Sequence, residues 1–335
     1  MPVRVGINGF GRIGRSVLRI LAGRDDPRVV AVNDLFDNEQ LAYLLEYDTV
    51  MRRFAGEVTS DRDSMWVDGQ RIAMTAERDP AAIPWRDLGV DVVVEATGVF
   101  RHREPLEKHL AAGARRVLLT VPPKEAIDAM VVIGVNEEIL RPEHRIVSNA
   151  SCTTNCLAPL AKILDEAFGI REGLITTVHA YTNDQRLADV PHKSLRRSRA
   201  AAVNVIPTST GAAKAVGKVL PHLDGRLDGM AIRVPVPDGS IVDLAVRLER
   251  HAGRDEINEA VRRAAQGPLG RVVEYSPDPL VSSDIIGNPH SSIFDAPSTR
   301  VGAGGFAKVV AWYDNEWGYA NRVVDLIEIV GRLDA

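Results

Sequence analysis

A glycine-rich turn between a predicted strand and a predicted helix is the feature that most constrains the fold of this chain. The β-branched run from Val3 to Ile7 is followed by Gly9, Gly11 and Gly14 in the spacing G-x-G-x-x-G, and residues 13–21 then carry apolar side chains at helical spacing. In such a unit the backbone N–H groups and the positive helix end face a pyrophosphate, and the missing Cβ atoms allow its close approach. Because a glycine triplet alone marks many tight turns, the interpretation depends on this setting.

A carboxylate supports the same interpretation. Asp34 lies 20 residues beyond Gly14, at the end of the second β-branched run. At that position it can accept hydrogen bonds from both ribose hydroxyls of an adenosine. The alternative is a plain glycine turn and a helix-capping aspartate, but the turn, the strand order and the spacing together favour a dinucleotide site. Since a fixed carboxylate repels the 2′-phosphate of NADP, we expect NAD as the cofactor.

The order of strands and helices predicts an α/β fold. Buried β-branched runs from Val90 to Glu95 and from Arg116 to Thr120 flank a helical pattern from Glu104 to Ala112. This alternation is typical of a Rossmann doubly wound parallel sheet. Apolar and polar residues alternate from Val242 to Leu248, as in an antiparallel strand with one buried face. The sequence therefore predicts a parallel sheet followed by a largely antiparallel one.

The length of 335 residues agrees with two domains. We expect residues 1–150 to form the dinucleotide-binding domain and residues 151–316 to form a catalytic α+β domain. A helical pattern occupies most of the remaining residues, 317–335.

Composition excludes several classes of protein. The 41 Lys and Arg residues against 45 Asp and Glu give a net charge of −4, which disfavours nucleic acid as the main partner. The two cysteines are too few for a disulfide framework and indicate a reducing compartment. The chain has neither a signal-peptide pattern at its start nor an apolar run of the ~18 residues that span a bilayer. These features predict a cytoplasmic protein that does not bind membranes.

A cysteine at a predicted helix start is the best candidate nucleophile. Cys152 follows a short strand and precedes an apolar-periodic stretch, so the helix dipole and free N–H groups are expected to lower its thiol pKa toward the ~3.5 to 7.5 range of reactive cysteines. A buried structural cysteine is the alternative, and Cys156 fits that role better. No metal site is expected, because Cys-x3-Cys without nearby His lacks the ligands of a structural zinc. Pro159 predicts a kink or a local break in the helix.

A proton acceptor and an anion site complete the candidates. His179 stands at the polar exit of the predicted strand from Leu174 to Val178, although a satisfied core or surface histidine is an equal alternative. The basic run from His192 to Arg199 and the segment from Thr208 to Gly211 before an Ala-rich helix predict an anion site. The alternatives are a solvated basic face, a salt-bridged interface and, last, a nucleic-acid patch.

The chain resembles the phosphorylating glyceraldehyde-3-phosphate dehydrogenase family over essentially its full length. The resemblance rests on motifs that follow one another in the family's order: residues 6–14 (GINGFGRIG), 150–159 (ASCTTNCLAP), 178–182 (VHAYT), 207–214 (PTSTGAAK) and 312–319 (WYDNEWGY).

The resemblance implies a role for each matched residue. Cys152 would be the nucleophile and His179 the general base. The residues implied to hold the substrate phosphate and inorganic phosphate are Ser151, Thr153, Thr182, Arg197, Thr210, Gly211 and Arg233. The residues implied to contact NAD, in addition to the glycines and Asp34, are Arg12, Ile13, Arg78, Thr120 and Asn315.

The family also implies a reaction and an assembly. D-glyceraldehyde 3-phosphate, inorganic phosphate and NAD would give 1,3-bisphosphoglycerate and NADH through a hemithioacetal and a thioester. Family members are typically homotetramers, and their C-terminal helix, here within 317–335, packs back on the cofactor domain. Val190–Pro191 stands where NAD-using members usually have Leu-Pro.

Three other functions remain open at this level. An erythrose-4-phosphate dehydrogenase is the nearest, but residues 179–182 and the Thr210–Gly211 pair favour the triose enzyme. A dinucleotide-dependent regulator or RNA-binding protein could use the same cleft without turnover. A cysteine hydrolase would not require the glycine turn or Asp34.

Overall fold

The computed structural model describes residues 2–333, which divide into two units. Unit 1 comprises residues 2–131, 137–151 and 320–333, and unit 2 comprises residues 132–136 and 152–319. The segment Val132–Asn136 therefore belongs to unit 2, although the sequence analysis placed it in the first domain. The reason is local packing, because Lys162 Nζ of unit 2 donates to the Gly134 carbonyl at 3.1 Å.

Unit 1 is built on a mixed sheet whose centre is parallel. The strands are β1 (Arg4–Asn8), β2 (Arg28–Asn33), β3 (Val58–Ser60), β4 (Ser64–Val67), β5 (Gln70–Thr75), β6 (Val92–Glu95), β7 (Arg116–Leu119), β8 (Ala129–Met130) and β9 (Ile146–Ser148), and the helices α1 (Arg12–Leu21), α2 (Asn38–Glu46) and α3 (Arg103–Ala111). The strand order is β3-β4-β5-β2-β1-β6-β7-β9-β8. The strands from β5 to β8 in this order pair in parallel, and the β3–β4 and β4–β5 pairs are antiparallel. This confirms the predicted Rossmann sheet.

The edge formed by β3, β4 and β5 was not predicted. β3 and β4 are short, and β3 and β5 are only partly buried, so the edge lacks a continuous apolar run. The pair β4 and β5 turns at Asp68–Gly69, where φ is +50° and +78°. An Asp-Gly turn with two positive φ angles is a strong hairpin signal, and it could have identified this edge from the sequence.

Unit 2 is built on a largely antiparallel sheet. Its strands are β10 (Ile170–Ala180), β11 (Ile206–Ser209), β12 (Leu227–Val234), β13 (Ser240–Leu248), β14 (Val273–Ser276), β15 (Ser292–Asp295), β16 (Arg300–Val301) and β17 (Phe306–Tyr313), and its helices α4 (Cys152–Phe168), α5 (Ala212–Val219) and α6 (Arg254–Ala265). Helix α7 (Trp317–Val330) begins in unit 2 and continues in unit 1. The strand order is β11-β12-β10-β13-β17-β15-β14, with β16 on β17, and only the β10–β12 and β14–β15 pairs are parallel among the described residues. This confirms the predicted second sheet.

Helix α4 is the central helix of unit 2. It packs against α5, α6 and strands β10, β13, β15 and β17. It runs through Pro159 without the local break that was expected. Pro159 and most of the residues around it are buried, so tertiary packing offsets the missing N–H hydrogen bond. The result is a helix that begins at Cys152.

Candidate active site

The glycine turn of unit 1 has the geometry of a dinucleotide cradle. Gly9 has φ +92°, and a Cβ there would lie 2.6 Å from the Thr97 backbone nitrogen. A Cβ on Gly14 would lie 2.3 Å from the Gly9 carbonyl oxygen, which shows how closely α1 packs on the turn. A Cβ on Gly11 would meet nothing within 4 Å, so the space before the N-terminus of α1 is open. Two glycines thus serve packing and the third leaves room for a phosphate.

Asp34 lies beside this turn, directly after β2. Its Oδ2 accepts a hydrogen bond from the Phe10 backbone N–H at 2.7 Å, and its Oδ1 accepts one from Phe36 N–H at 3.2 Å. The half-buried carboxylate is therefore held in one orientation. These contacts fit a fixed acceptor for ribose hydroxyls, and the residues of the cradle fit NAD.

The structure gives less direct support for the other residues implied to contact NAD. Arg12, at the start of α1, forms an ion pair with Asp48. The Thr120 hydroxyl donates to the Glu95 carbonyl at 3.0 Å, so only its lone pairs remain for a ligand. Arg78 is exposed and Ile13 is half-buried. The roles of these residues stay predictions.

A buried polar network lies under the carboxyl ends of β1 and β6, and sequence reasoning missed it. Glu95 Oε2 accepts from Asn8 Nδ2 at 2.6 Å and lies 3.1 Å from His109 Nε2. Trp85 Nε1 donates to His109 Nδ1 at 3.0 Å, which leaves the His109 proton on Nε2, facing Glu95. The signal in the sequence was a carboxylate and an asparagine at the ends of neighbouring parallel strands.

In unit 2 the candidate nucleophile and base are in contact. Cys152 is the first residue of α4, and its Sγ lies 3.5 Å from Nε2 of His179. His179 is the penultimate residue of β10 and is 4% exposed. The strand end and the helix start therefore bring together two residues that are 27 positions apart in the sequence.

The hydrogen bonds around His179 fix its tautomer. Nδ1 lies 2.7 Å from the Ala180 carbonyl oxygen and 2.9 Å from Arg233 Nη1. The guanidinium can only donate a hydrogen bond to Nδ1, and the carbonyl oxygen can only accept one from it. Nδ1 can therefore form a hydrogen bond with only one of the two groups. Arg233 Nη1 already donates to Ala180 O at 2.9 Å and to Thr182 Oγ1 at 3.3 Å. We therefore place the proton on Nδ1, which leaves the Nε2 lone pair facing the Cys152 thiol.

The charge states differ from the sequence-based expectation. Burial raises the pKa of the Cys152 thiol, and the opposing effects of Arg233 and of hydrogen bonds from Thr153 do not reverse the shift. Burial, followed by the positive charge of Arg233, lowers the pKa of His179 to about 3. The expected lowering of the Cys152 pKa is thus wrong for this arrangement, because desolvation outweighs the helix start. The pair is a neutral thiol donating to a neutral imidazole.

Tyr313 is a further residue of this site that sequence reasoning did not identify. Its hydroxyl lies 2.9 Å from Thr153 Oγ1 and 2.8 Å from Thr177 Oγ1. Its ring meets the His179 ring edge-on, with centroids 5.8 Å apart. The Tyr313 hydroxyl therefore connects Thr153, next to the Cys152 thiol, with Thr177 of β10.

Two arginines form the positive side of the site. Arg233 Nε is buried and has no hydrogen-bond partner in residues 2–333, so it is available to an anion. Arg197 donates from Nε to Thr208 Oγ1 at 3.0 Å and forms an ion pair with Asp184. Arg197 and Thr208 belong to the basic segment and the β11 strand that the sequence analysis joined in one anion site.

The remaining predicted phosphate ligands lie at helix starts. Thr210 Oγ1 accepts from the Ala212 N–H at 3.2 Å, and Gly211 caps α5 with open space where a Cβ would stand. Ser151 directly precedes α4 and is half-buried.

Asn315 follows β17 in unit 2 and is held by Ser240. The Ser240 hydroxyl donates to Asn315 Oδ1 at 2.5 Å, which leaves the Nδ2 group as the donor of this amide. In the part of the chain that the structure describes, no group of three His, Cys, Asp or Glu residues is placed to hold a metal ion. No helix within residues 2–333 is long and apolar enough to cross a membrane.

Comparison with known proteins decides the family. The profile described as "Glyceraldehyde 3-phosphate dehydrogenase, NAD binding domain" matches residues 3–103, and that described as "Glyceraldehyde 3-phosphate dehydrogenase, C-terminal domain" matches residues 151–315. The chain belongs to the glyceraldehyde-3-phosphate dehydrogenase family.

Curated members of the glyceraldehyde-3-phosphate dehydrogenase family match nearly the whole chain. It is 58% identical over 329 residues to glyceraldehyde-3-phosphate dehydrogenase of Kitasatospora aureofaciens, covering 98% of each chain. It is 54% identical over 333 residues to glyceraldehyde-3-phosphate dehydrogenase 2 of Streptomyces avermitilis, and 54% identical over 339 residues to the enzyme of Mycobacterium tuberculosis, covering 99% of each chain in both comparisons. The resemblance stated from the motifs is confirmed, and the NAD-binding description agrees with the cradle around Gly11.

Proposed function

We propose that this chain oxidises D-glyceraldehyde 3-phosphate with NAD and inorganic phosphate to 1,3-bisphosphoglycerate and NADH, a step of glycolysis that runs in reverse in gluconeogenesis. The observation that carries the proposal is the contact of Cys152 Sγ with the unprotonated Nε2 of His179, beside the guanidinium of Arg233. The family to which the chain belongs supports the same reaction.

The residues proposed to hold NAD come mainly from unit 1. The N–H groups at the start of α1 would bind the pyrophosphate above Gly11, and Asp34 would accept the adenosine ribose hydroxyls. Asn315 Nδ2 would donate to the nicotinamide amide. NAD, when bound, supplies the hydride acceptor at C4 of its nicotinamide ring.

His179 would move every proton of the reaction at Nε2. It takes the thiol proton as the Cys152 sulfur bonds to the aldehyde carbon, and it returns that proton to the carbonyl oxygen, which gives a hemithioacetal. It takes the hydroxyl proton when the hemithioacetal is oxidised to a thioester. Phosphate then attacks the thioester carbon, the C–S bond breaks, His179 returns its proton to the released Cys152 sulfur, and an acyl phosphate leaves.

The predicted anion-binding residues would hold the phosphate group of the substrate and the attacking inorganic phosphate. Arg233 and Thr182 lie beside His179, Thr210 and Gly211 lie at the β11–α5 junction, and Arg197 contacts Thr208 of β11. Their cationic and N–H donors match phosphate oxygens. Because phosphate is bound next to the thioester, the intermediate is converted to an acyl phosphate rather than hydrolysed.

We also propose a homotetramer in the cytoplasm. The loop between His179 and Thr210 exposes Leu187 and Leu195, each 86% exposed, and Val203, 76% exposed. Large apolar side chains in such numbers favour contact with another subunit. A cytoplasmic location is supported by the two free thiols and by the glycolytic reaction.

The test is an assay of NADH absorbance with triose and tetrose aldehyde phosphates, each with and without inorganic phosphate. We expect the highest kcat/KM with the triose phosphate and a requirement for inorganic phosphate in turnover. A preference for the tetrose would instead identify an erythrose-4-phosphate dehydrogenase. Equal product without inorganic phosphate would mean that the acyl group is transferred to water.

A further inference from the structure

Two carboxylates are buried against each other at the end of β17. Asp238 lies in the loop between β12 and β13, and Asp314 follows the last residue of β17. Each is 1% exposed, and the two side chains are within hydrogen-bonding reach of each other. Neither forms an ion pair with a Lys, Arg or His residue within the described range 2–333. Two ionised carboxylates in this position would repel each other strongly.

Asp314 is the member that carries the negative charge. Its Oδ1 accepts the backbone N–H groups of Glu316 at 2.8 Å and Trp317 at 2.6 Å, and its Oδ2 accepts that of Gly287 at 2.7 Å. The Glu316 and Trp317 N–H groups lie at the N-terminus of α7. Burial raises the pKa of Asp314, but its N–H donors and the helix start favour the ionised form and keep it the more acidic member of the pair.

Asp238 is the member that holds a proton. Its Oδ1 accepts the N–H of Gly239 at 2.8 Å, but its Oδ2 is buried and has no donor in residues 2–333. A proton on Oδ2, donated to Asp314, satisfies both side chains. Burial, together with Asp314 and Glu316, raises the pKa of Asp238 to about 9. The pair therefore shares one proton at neutral pH.

The loop that carries Asp238 is bonded to the reactive groups of unit 2. Its Val236 carbonyl accepts the Tyr181 N–H at 3.1 Å. Ser240 Oγ accepts the Ala180 N–H at 3.1 Å and donates to Asn315 Oδ1. The loop thus connects the segment after His179 with Asn315.

A charge on Asp238 also reaches the thiol. Negative charge on Asp238 raises the pKa of Cys152, whereas Arg233 lowers it. The charged groups that face Asp238 are Asp314 and Glu316, from the turn between β17 and α7. A neutral Asp238 therefore does not oppose the pKa-lowering effect of Arg233 on Cys152.

We propose that Asp238 is a positioning residue that shares a proton with Asp314, thereby fixing the 234–240 loop against Asn315 and preventing a negative charge from forming near Cys152. This inference rests on the proposed function for the roles of Asn315 and Cys152. It adds a neutral carboxylic acid, which acts through its loop and Asn315, to the groups on which the thiol chemistry depends.

The first test uses Asp238→Asn, which keeps a donor toward Asp314 but cannot ionise. The folded-state pKa of Asp238 lies above its unfolded value of about 3.9, so the stabilising proton is present at low pH and is lost as pH rises toward and through about 9. We expect the Tm of the unmodified protein to fall from pH 7 to pH 10 by several degrees more than that of Asp238→Asn. The matched control is Asp228→Asn, an exposed aspartate that also accepts the N–H of its following glycine.

The second test measures alkylation of Cys152 without NAD across the same pH range. Above about pH 9 the unmodified protein and Asp228→Asn should react more slowly than Asp238→Asn, because a charged Asp238 raises the pKa of the Cys152 thiol. Asp238→Ala, which lacks the donor, should weaken NAD binding measured by direct titration, and Asp238→Asn should restore most of it.

Equal Tm curves and equal alkylation profiles for the unmodified protein and Asp238→Asn would overturn the proposal. The proposed function is tested separately, because NADH formation from glyceraldehyde 3-phosphate at neutral pH is measured on the unmodified protein alone, without comparison with an Asp238 variant.

Discussion

At the scale of single residues, the two cysteines of α4 differ sharply in their surroundings. Cys156 is fully buried, with its Sγ 3.8 Å from Ser292 Oγ, and burial raises the pKa of its thiol far above the usual range. Cys152 is partly exposed and contacts His179. Brief alkylation at neutral pH should therefore label Cys152 first and abolish activity in proportion, as peptide mass mapping can establish. Cys156→Ala is the control, and the alkylating reagent should inactivate it at the same rate as the unmodified protein. Labelling of Cys156 with activity retained would contradict the assignment.

Replacing His179 by Asn removes the proposed base without touching unit 1. We expect turnover to fall by about 10² or more with little change in NAD affinity, measured by steady-state kinetics and by direct titration. His222→Asn, an exposed histidine paired with Asp165, is the matched control. Wild-type turnover in His179→Asn would remove this residue from the mechanism.

His179 also makes a prediction about acid stability. Its folded-state pKa of about 3 lies below its unfolded value near 6.5, so the unfolded chain binds the proton more readily and stability is lost as pH falls from about 6.5 toward 3. The loss from this one group is about 4 kcal/mol at pH 3. Denaturant unfolding of His179→Asn should show a correspondingly shallower fall over this range, with His222→Asn as the control. Identical slopes would mean that His179 is protonated in the folded protein.

At the scale of elements, the glycine turn allows packing and ligand binding to be separated. Gly14→Ala places a Cβ 2.3 Å from the Gly9 carbonyl oxygen, so it should lower both stability and NAD affinity. Gly11→Ala meets open space and has an ordinary φ of −74°, so it should keep its Tm and lose NAD affinity, because the Cβ occupies the approach of the pyrophosphate. Thermal unfolding and NAD titration distinguish the two. Unchanged NAD affinity in Gly11→Ala would place the pyrophosphate elsewhere.

The β2–α2 junction makes a prediction about cofactor choice. Asp34 should accept hydrogen bonds from the ribose hydroxyls, and each charge-assisted bond contributes roughly 1.5 to 3 kcal/mol. A net difference of about 2.8 kcal/mol gives roughly a hundredfold preference for NAD over NADP. Asp34→Ser should erode this preference, chiefly through weaker NAD binding, whereas Asp37→Ser, at a nearby exposed aspartate, should not. The check is kcat/KM with both cofactors, and equal values in the unmodified protein would exclude the assigned role of Asp34.

At the scale of the whole molecule, the exposed apolar loop predicts the assembly. Gel filtration with light scattering should give about four times the chain mass of 36.5 kDa. Replacing Leu187 and Leu195 by Ser should shift the protein toward smaller species, because apolar area buried between subunits drives association. Val281→Ser, at an apolar residue 56% exposed outside this loop, is the control. A monomer in the unmodified protein would remove the tetramer from the proposal.

Local pattern was enough to predict the two sheets, the glycine turn and the helix that starts at Cys152. These features depend on side-chain periodicity and on residues with special backbone preferences. Both can be recognised from residues that are close together in the sequence. The β3–β5 edge escaped prediction, since β3 and β4 are short, β5 is only partly buried and the pairing of β4 with β5 depends on the Asp68–Gly69 turn.

The sequence by itself determined the family, the cofactor class and the identity of the candidate thiol and base, because each of them is indicated by a motif of particular residue types at fixed spacing. Only the tertiary structure decided the charge states. Burial reversed the expected shift of the Cys152 pKa. The contact with the Ala180 carbonyl oxygen fixed the His179 tautomer, and the fold buried Asp238 next to Asp314. These properties depend on desolvation and on contacts between residues far apart in the chain, which no local pattern encodes.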